Sequence, residues 1–163
     1  MSNLQTAVFG GGCFWCIEAV FDQLEGVESV ESGYMGGRNP NPTYQQVCEG
    51  NTGHVEVIRV TFDPQQISFT ELLDVFFTVH DPTTLNRQHN DVGTQYRSAI
   101  FYTSEAQKKT AEGVKAKLEQ AKKFNRPITT EITAASKFYS AEDYHQKYLV
   151  KNPGGYTCHV LRD

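Results

Sequence analysis

The chain has 163 residues, which suits one globular domain spanning 1–163 with a core of useful size. Hydrophobic residues make up 39% and charged residues 21%, an ordinary soluble balance. The net charge of -4 and the lack of a basic stripe argue against nucleic acid and against an anionic membrane surface as partners. No apolar run approaches the roughly 20 residues that span a bilayer. The start, Met1-Ser2-Asn3-Leu4-Gln5, lacks the basic region and apolar stretch of a signal peptide. A cytoplasmic location is expected, where thiols stay reduced. The four cysteines, Cys13, Cys16, Cys48 and Cys158, then read as reactive, buried or metal-bound groups and not as a disulfide framework.

Ala7-Val8-Phe9 is a short apolar run ending in Gly10-Gly11-Gly12, a strand leading into a loop. Ile17, Val20, Phe21 and Leu24 follow at helical spacing, so a helix is predicted from near Cys13 to before Gly26. Residues 27–34 form a weaker strand candidate. The turn-rich stretch 36–42 reads as a loop. Residues 54–62, rich in Val, Ile, Thr and Phe, read as a strand. Ser68 and Glu71 form a capping box before Phe69, Leu72, Leu73 and Phe76, which predicts a second helix. Residues 81–96 are polar and read as one long loop, a length that is usually functional or disordered. A strand over 98–103 follows, then a helix capped by Ser104 and Gln107 that runs to about Phe124. A strand near 129–133, a short helix near 141–149 and an irregular tail from Pro153 complete the chain. The order of the first six elements matches the split β-α-β arrangement of a ferredoxin-like α/β plait. An α+β fold with two layers, a mixed sheet and a C-terminal extension is expected.

The strongest chemical signal is Gly10-Gly11-Gly12-Cys13-Phe14-Trp15-Cys16. Cys13 lies where a glycine loop meets a helix N-terminus, and the free amides and positive dipole end there favour an anion such as a thiolate. The bland reading is a buried small hydrophobe; the junction favours the reactive one. Cys16 completes a C-x-x-C, which reads as a redox pair, half of a zinc site or a coincidence. Zinc needs four ligands with close-spaced pairs, and Cys158-His159 are adjacent and badly spaced.

Glu56 shares a strand face with Ile58, Val60 and Phe62. Burial there would raise its pKa and make it a general acid; an edge position would let it reach water instead. Tyr34 and Tyr44 in the first loop and Asp91, Gln95 and Tyr96 in the second are polar groups able to line a site. Taken singly, tyrosines are more often packing residues. Phe14 and Trp15 would supply an apolar pocket beside the nucleophile. Cys158, after Pro153-Gly154-Gly155, falls in a tail expected to swing. Cys48 reads as a packing residue.

Together these segments resemble a known family, the A-type peptide methionine sulfoxide reductases. Gly12-Cys13-Phe14-Trp15 is similar to its active-site signature. Ser32-Gly33-Tyr34 with Gly36-Gly37, Asn41-Pro42-Thr43-Tyr44, Gly53-His54-Val55-Glu56-Val57, Asp81-Pro82-Thr83 and Asp91-Val92-Gly93-Thr94-Gln95-Tyr96-Arg97-Ser98 follow in the family's order. The resemblance covers roughly residues 7–150 and agrees with the plait. It implies that Cys13 attacks the sulfoxide sulfur, that Glu56 protonates the oxygen and that Tyr44 and Tyr96 hydrogen-bond it. It implies a pocket for the terminal methyl from Phe14 and Trp15, with Asp91 positioning the substrate. It also implies action on the S epimer, free or in proteins, as oxidative damage repair recycled by thioredoxin. Thiolate attack and disulfide formation themselves require no metal or organic cofactor.

The sulfenic acid on Cys13 must be resolved by a second thiol. Cys158 is favoured over Cys16, because Cys16 sits within the predicted helix and Cys158 follows a hinge. A monomer is expected. The alternative is a general thiol-disulfide oxidoreductase using Cys13 and Cys16, which would have no use for Glu56 or the tyrosines. His89 stands in the loop before Asp91 without an assigned role.

Overall fold

The structure is a computed structural model that describes residues 4–12, 14–38, 40–50, 52–88, 91–124, 126–142 and 145–146, with the backbone alone at Cys16 and Asp91. Cys13, Cys158, His89, the tail from 147 and most of the predicted 141–149 helix lie outside the described residues.

Strand β1 (Gln5–Gly10) leads into helix α1 (Phe14–Phe21). Strand β2 (Val27–Met35), a short helix α2 (Tyr44–Cys48) and strand β3 (Val55–Phe62) follow. Next come helix α3 (Phe69–Val79), the two-residue strands β4 (Arg87–Gln88) and β5 (Asp91–Val92), and a 3-10 turn at Thr94–Tyr96. Strand β6 (Ala99–Tyr102), helix α4 (Glu105–Gln120) and strands β7 (Glu131–Ala134) and β8 (Tyr139–Ser140) complete the order.

The main sheet runs β7-β6-β1-β3-β2-β8. Its β6–β7 pair is parallel and its other pairs are antiparallel, so the sheet is mixed. Strand alternation divides the apolar side chains between two faces. Ala7, Phe9, Ile58, Val60 and Phe62 join Phe14, Ile17, Phe21, Leu72, Leu73 and Phe76 in the main core. Val8, Met35, Val55, Val57, Ala99 and Phe101 form a smaller cluster. Stacked rings at 5.0 Å (Phe9–Phe76) and 5.4 Å (Phe9–Phe21) tie the central strand to both α3 and α1. The capping box of α3 forms as read: the Glu71 amide donates to Ser68 Oγ at 3.0 Å and the Ser68 amide to Glu71 Oε1 at 3.1 Å.

Two expectations need correction. The stretch 81–96 is not one open loop. Gln88 is fully buried and its side chain pairs with the Asp81 backbone, accepting from the amide at 2.9 Å and donating to the carbonyl. That closure supports the β4–β5 hairpin. Cys48 is exposed, not packed, because α2 turns only Val47 inward. In addition, β8 lies over residues 139–140, which carry no predicted element, and pairs with β2 through Gly33–Ser140 and Tyr34–Tyr139.

Candidate active site

The glycine loop is shaped by close approach and by backbone sign. A Cβ on Gly10 would stand 2.6 Å from Val55 Cγ1 and 3.3 Å from the Glu56 carbonyl oxygen, so a larger residue would force β1 and β3 to shift there. Gly12 has φ +97, which glycine adopts without the steric cost of a side chain. The loop delivers Phe14 as the first residue of α1, and the first-turn amides of a helix lack an intrahelical partner. The Phe14 amide, which follows position 13 in the chain, donates to Glu56 Oε1 at 3.3 Å.

Glu56 is 0% exposed. The edge reading fails because β3 is paired on both sides, by β1 and by β2. β1 ends its pairing at Phe9–Ile58, so the neighbour of Glu56 on that side is the glycine loop. On the other side Tyr34 stands directly opposite Glu56. Tyr34 is not a loop residue but belongs to β2, fully buried, with its ring 5.7 Å from that of Phe14.

The structure brings most of the sequence-read residues together. Phe14 and Trp15 lie 6.2 Å, ring to ring, from Tyr44. Tyr44 opens α2, whose N-cap Thr43 accepts from the Gln46 amide in a second capping box. Burial raises the Tyr44 phenol well above its ordinary value. The Glu56 carboxyl, a hydrogen bond to Cys48 and the neighbouring Tyr96 add to that effect. Phenol, carboxyl and second phenol therefore share one electrostatic neighbourhood. Tyr96 is brought there by ties on its turn, those to Cys48 and Gly53 being long-range. Gln95 Nε2 donates to the Cys48 carbonyl at 3.3 Å, and Arg97 Nη1 and Nη2 donate to the Thr94 and Gly53 carbonyls at 2.9 and 3.3 Å. Asp91 is placed on β5 by its backbone, opposite Gln88.

Residues that the sequence reading did not single out complete the cluster. His145 is buried, its ring centred 4.3 Å from that of Tyr44 and 5.6 Å from that of Trp15. Trp15 Nε1 donates to His145 Nδ1 at 2.9 Å. An indole N–H can only donate, so Nδ1 carries no proton and the neutral ring holds its proton on Nε2. Glu142 accepts from the Tyr34 hydroxyl and from the Tyr44 amide, each at 3.0 Å. A carboxylate and an imidazole three residues apart in an otherwise polar stretch were the available signal. Alone it does not name their partners.

Burial holds His145 below the ordinary histidine value of 6.5, against the opposing pull of Glu142. Burial also pushes Glu142 upward. Hydrogen bonds from the Tyr44 amide, its own backbone and the Tyr34 phenol, with His145 nearby, outweigh this and hold it below 4.5. In both cases the unfolded chain binds more protons than the folded one as pH falls, so acid destabilises the fold. The His145 contribution is present above about 6.5 and is lost as pH falls from there toward the lower folded value. Urea midpoints, followed through Trp15, the single tryptophan of the chain, are expected to fall between about pH 7 and pH 5. The fall should be smaller in His145→Gln, and an equal fall in both proteins would refute the assignment.

Similarity to known proteins agrees with this geometry. The family model for peptide methionine sulfoxide reductase matches residues 5–163. Peptide methionine sulfoxide reductase MsrA of Acinetobacter baumannii is 56% identical over 155 residues, 95% of this chain and 88% of that protein. Among solved structures, Mxr1 from Saccharomyces cerevisiae in reduced form has a TM-score of 0.93 at 38% identity, covering 98% of this chain and 93% of that one. Mxr1 in complex with Trx2 has a TM-score of 0.67 at 25% identity, covering 98% and 91%. These matches define the class, an α+β oxidoreductase acting on oxidised sulfur in a thiol-dependent reaction. The chain belongs to the peptide methionine sulfoxide reductase family, and its activity is the reduction of methionine sulfoxide.

Proposed function

We propose that the enzyme reduces the S epimer of methionine sulfoxide, free or in proteins, with Cys13 as nucleophile and Glu56 as proton donor. The observation that carries this reading is the fully buried Glu56 accepting from the amide that follows position 13, next to the Tyr44 phenol. A carboxyl is expensive to keep ionised out of water, which suits it to deliver a proton. The Cys13 thiolate attacks the sulfoxide sulfur as Glu56 protonates the sulfoxide oxygen, forming a sulfur–sulfur bond to the substrate. The hydroxyl then passes from the substrate sulfur to Cys13 Sγ as the sulfur–sulfur bond breaks, releasing methionine and leaving sulfenic acid on Cys13. Tyr44 and Tyr96 hydrogen-bond the oxygen as it gains charge. Phe14 and Trp15 hold the terminal methyl, and Asp91 positions the rest of the substrate.

Cys158 then condenses with the sulfenic acid, releasing water and forming the Cys13–Cys158 disulfide. Cys16 is the alternative resolver. Its helix α1 is anchored by Phe14 and Ile17, both fully buried, which opposes the movement a disulfide requires. Thioredoxin is the proposed reductant and no cofactor enters. A general thiol-disulfide exchange would leave the buried carboxyl and the phenols without use.

The β6-β1-β3-β2 order within the sheet supports a ferredoxin-like plait with β7 and β8 as additions, in a single domain over 1–163. We further assign a monomer in the cytoplasm. Among the described residues no helix is long and apolar enough to cross a membrane.

One experiment tests both halves of the reaction. Protein given each sulfoxide epimer without reductant should release one equivalent of methionine from the S epimer and none from the R epimer. Peptide mapping should then find Cys13 joined to Cys158. In Cys158→Ser that release should persist while thioredoxin-driven cycling falls. Equal use of both epimers refutes the stereochemistry. A Cys13–Cys16 bond with normal cycling in Cys158→Ser refutes the resolver.

A further inference from the structure

We propose that Glu142 is a positioning residue for the reaction, acting through Tyr44. The inference rests on the reading of Tyr44 as a phenol that binds the sulfoxide oxygen. Tyr44 is the first residue of a helix of five residues, too short to hold its own orientation by backbone cooperativity. Its amide is one of the first-turn donors with no intrahelical acceptor, and the Glu142 carboxylate, 98 residues further along the chain, takes it at 3.0 Å. The other carboxylate oxygen accepts from the Tyr34 hydroxyl at 3.0 Å. Tyr34 is fully buried in β2 directly opposite Glu56. One side chain thus ties the backbone that carries the Tyr44 phenol to the strand neighbour of the proton donor. His145, three residues after Glu142, packs its ring on Tyr44 from the same segment. The thiol of Cys48 and Tyr96 face the Tyr44 phenol, whereas its amide donates to Glu142.

Both oxygens of Glu142 accept from donors, and Glu142→Gln keeps the shape but removes the negative charge that strengthens both bonds and leaves only one oxygen to accept. The test is methionine release in a single turnover, measured for Glu142→Gln, Tyr44→Phe and the double variant, with folding judged by Trp15 emission. Glu142→Gln is expected to slow release by on the order of tenfold, as displacement of a positioned group does. In the Tyr44→Phe background the same change should cost no more than about twofold, because coupled sites are not additive. Equal slowing in both backgrounds means that Glu142 acts on the fold at large and overturns the inference, as does an unchanged rate in the single variant. A Tyr44→Phe protein as fast as the parent overturns the reading of Tyr44 itself and the inference with it. If Glu142→Gln does not fold, Tyr34→Phe removes one of the two donors, leaves the ring in the core and enters the same cycle.

Discussion

Replacement of Cys13 by serine is expected to abolish turnover while leaving the fold intact. The change is one atom, from sulfur to oxygen, at a position flanked by Gly12 and by the first residue of α1. A serine hydroxyl is not ionised near neutral pH and is a weak nucleophile without an adjacent base. The helix N-terminus that favours a thiolate cannot ionise an alcohol to any useful extent. The product of attack would also be wrong. A sulfenic acid can condense with a thiol, and no equivalent species forms on serine oxygen. Methionine release from the S-sulfoxide should therefore fall to background, both in steady state with dithiothreitol and in a single turnover without it. Trp15 emission should match the parent, since His145 and Tyr44, which hold the indole, are unchanged. Substantial release by a folded Cys13→Ser protein would remove the basis of the mechanism.

The second large effect is expected at Glu56. Glu56→Gln keeps the side-chain length and an oxygen that can still accept from the Phe14 amide. It also keeps a donor that can bind the sulfoxide oxygen. The capacity to give a proton to the sulfoxide oxygen as the thiolate attacks is lost. Single-turnover release is expected to slow by ~10²–10⁴, the usual range for general acid catalysis. Substrate affinity should change far less, because hydrogen bonding in the ground state is preserved. The substitution also removes one influence on Tyr44, whose phenol Glu56 helps to hold up. Burial, the larger cause, remains. A single-turnover rate within experimental error of the parent would exclude Glu56 as the acid and leave Tyr44 and Tyr96 as the remaining donors to the oxygen.

Much of this enzyme could be read locally. The apolar spacing of α1 and α3, the Ser68–Glu71 capping box and the β-branched run of β3 are short-range signals, and each marks an element near its observed bounds. The glycine loop, the C-x-x-C and the family motifs depend only on residue order, and they point to sulfur chemistry without reference to any contact. α2 was missed because five residues carry no helical period, although its Thr43–Gln46 capping box could have revealed it. Strand alternation gave Glu56 its face but not its burial, which comes from what packs over that face, the start of α1 with the Phe14 amide included. The tertiary structure also decided the interior of 81–96, where the Gln88 side chain stands in for a backbone partner. The wall formed by Glu142 and His145 depended on it most. Trp15 and His145 are 130 residues apart and Tyr44 and Glu142 are 98 apart. A periodicity is a property of neighbours along the chain. A carboxylate that satisfies a helix-end amide from the far end of the sequence leaves no trace in the neighbours of either residue, and only the folded sheet makes them meet.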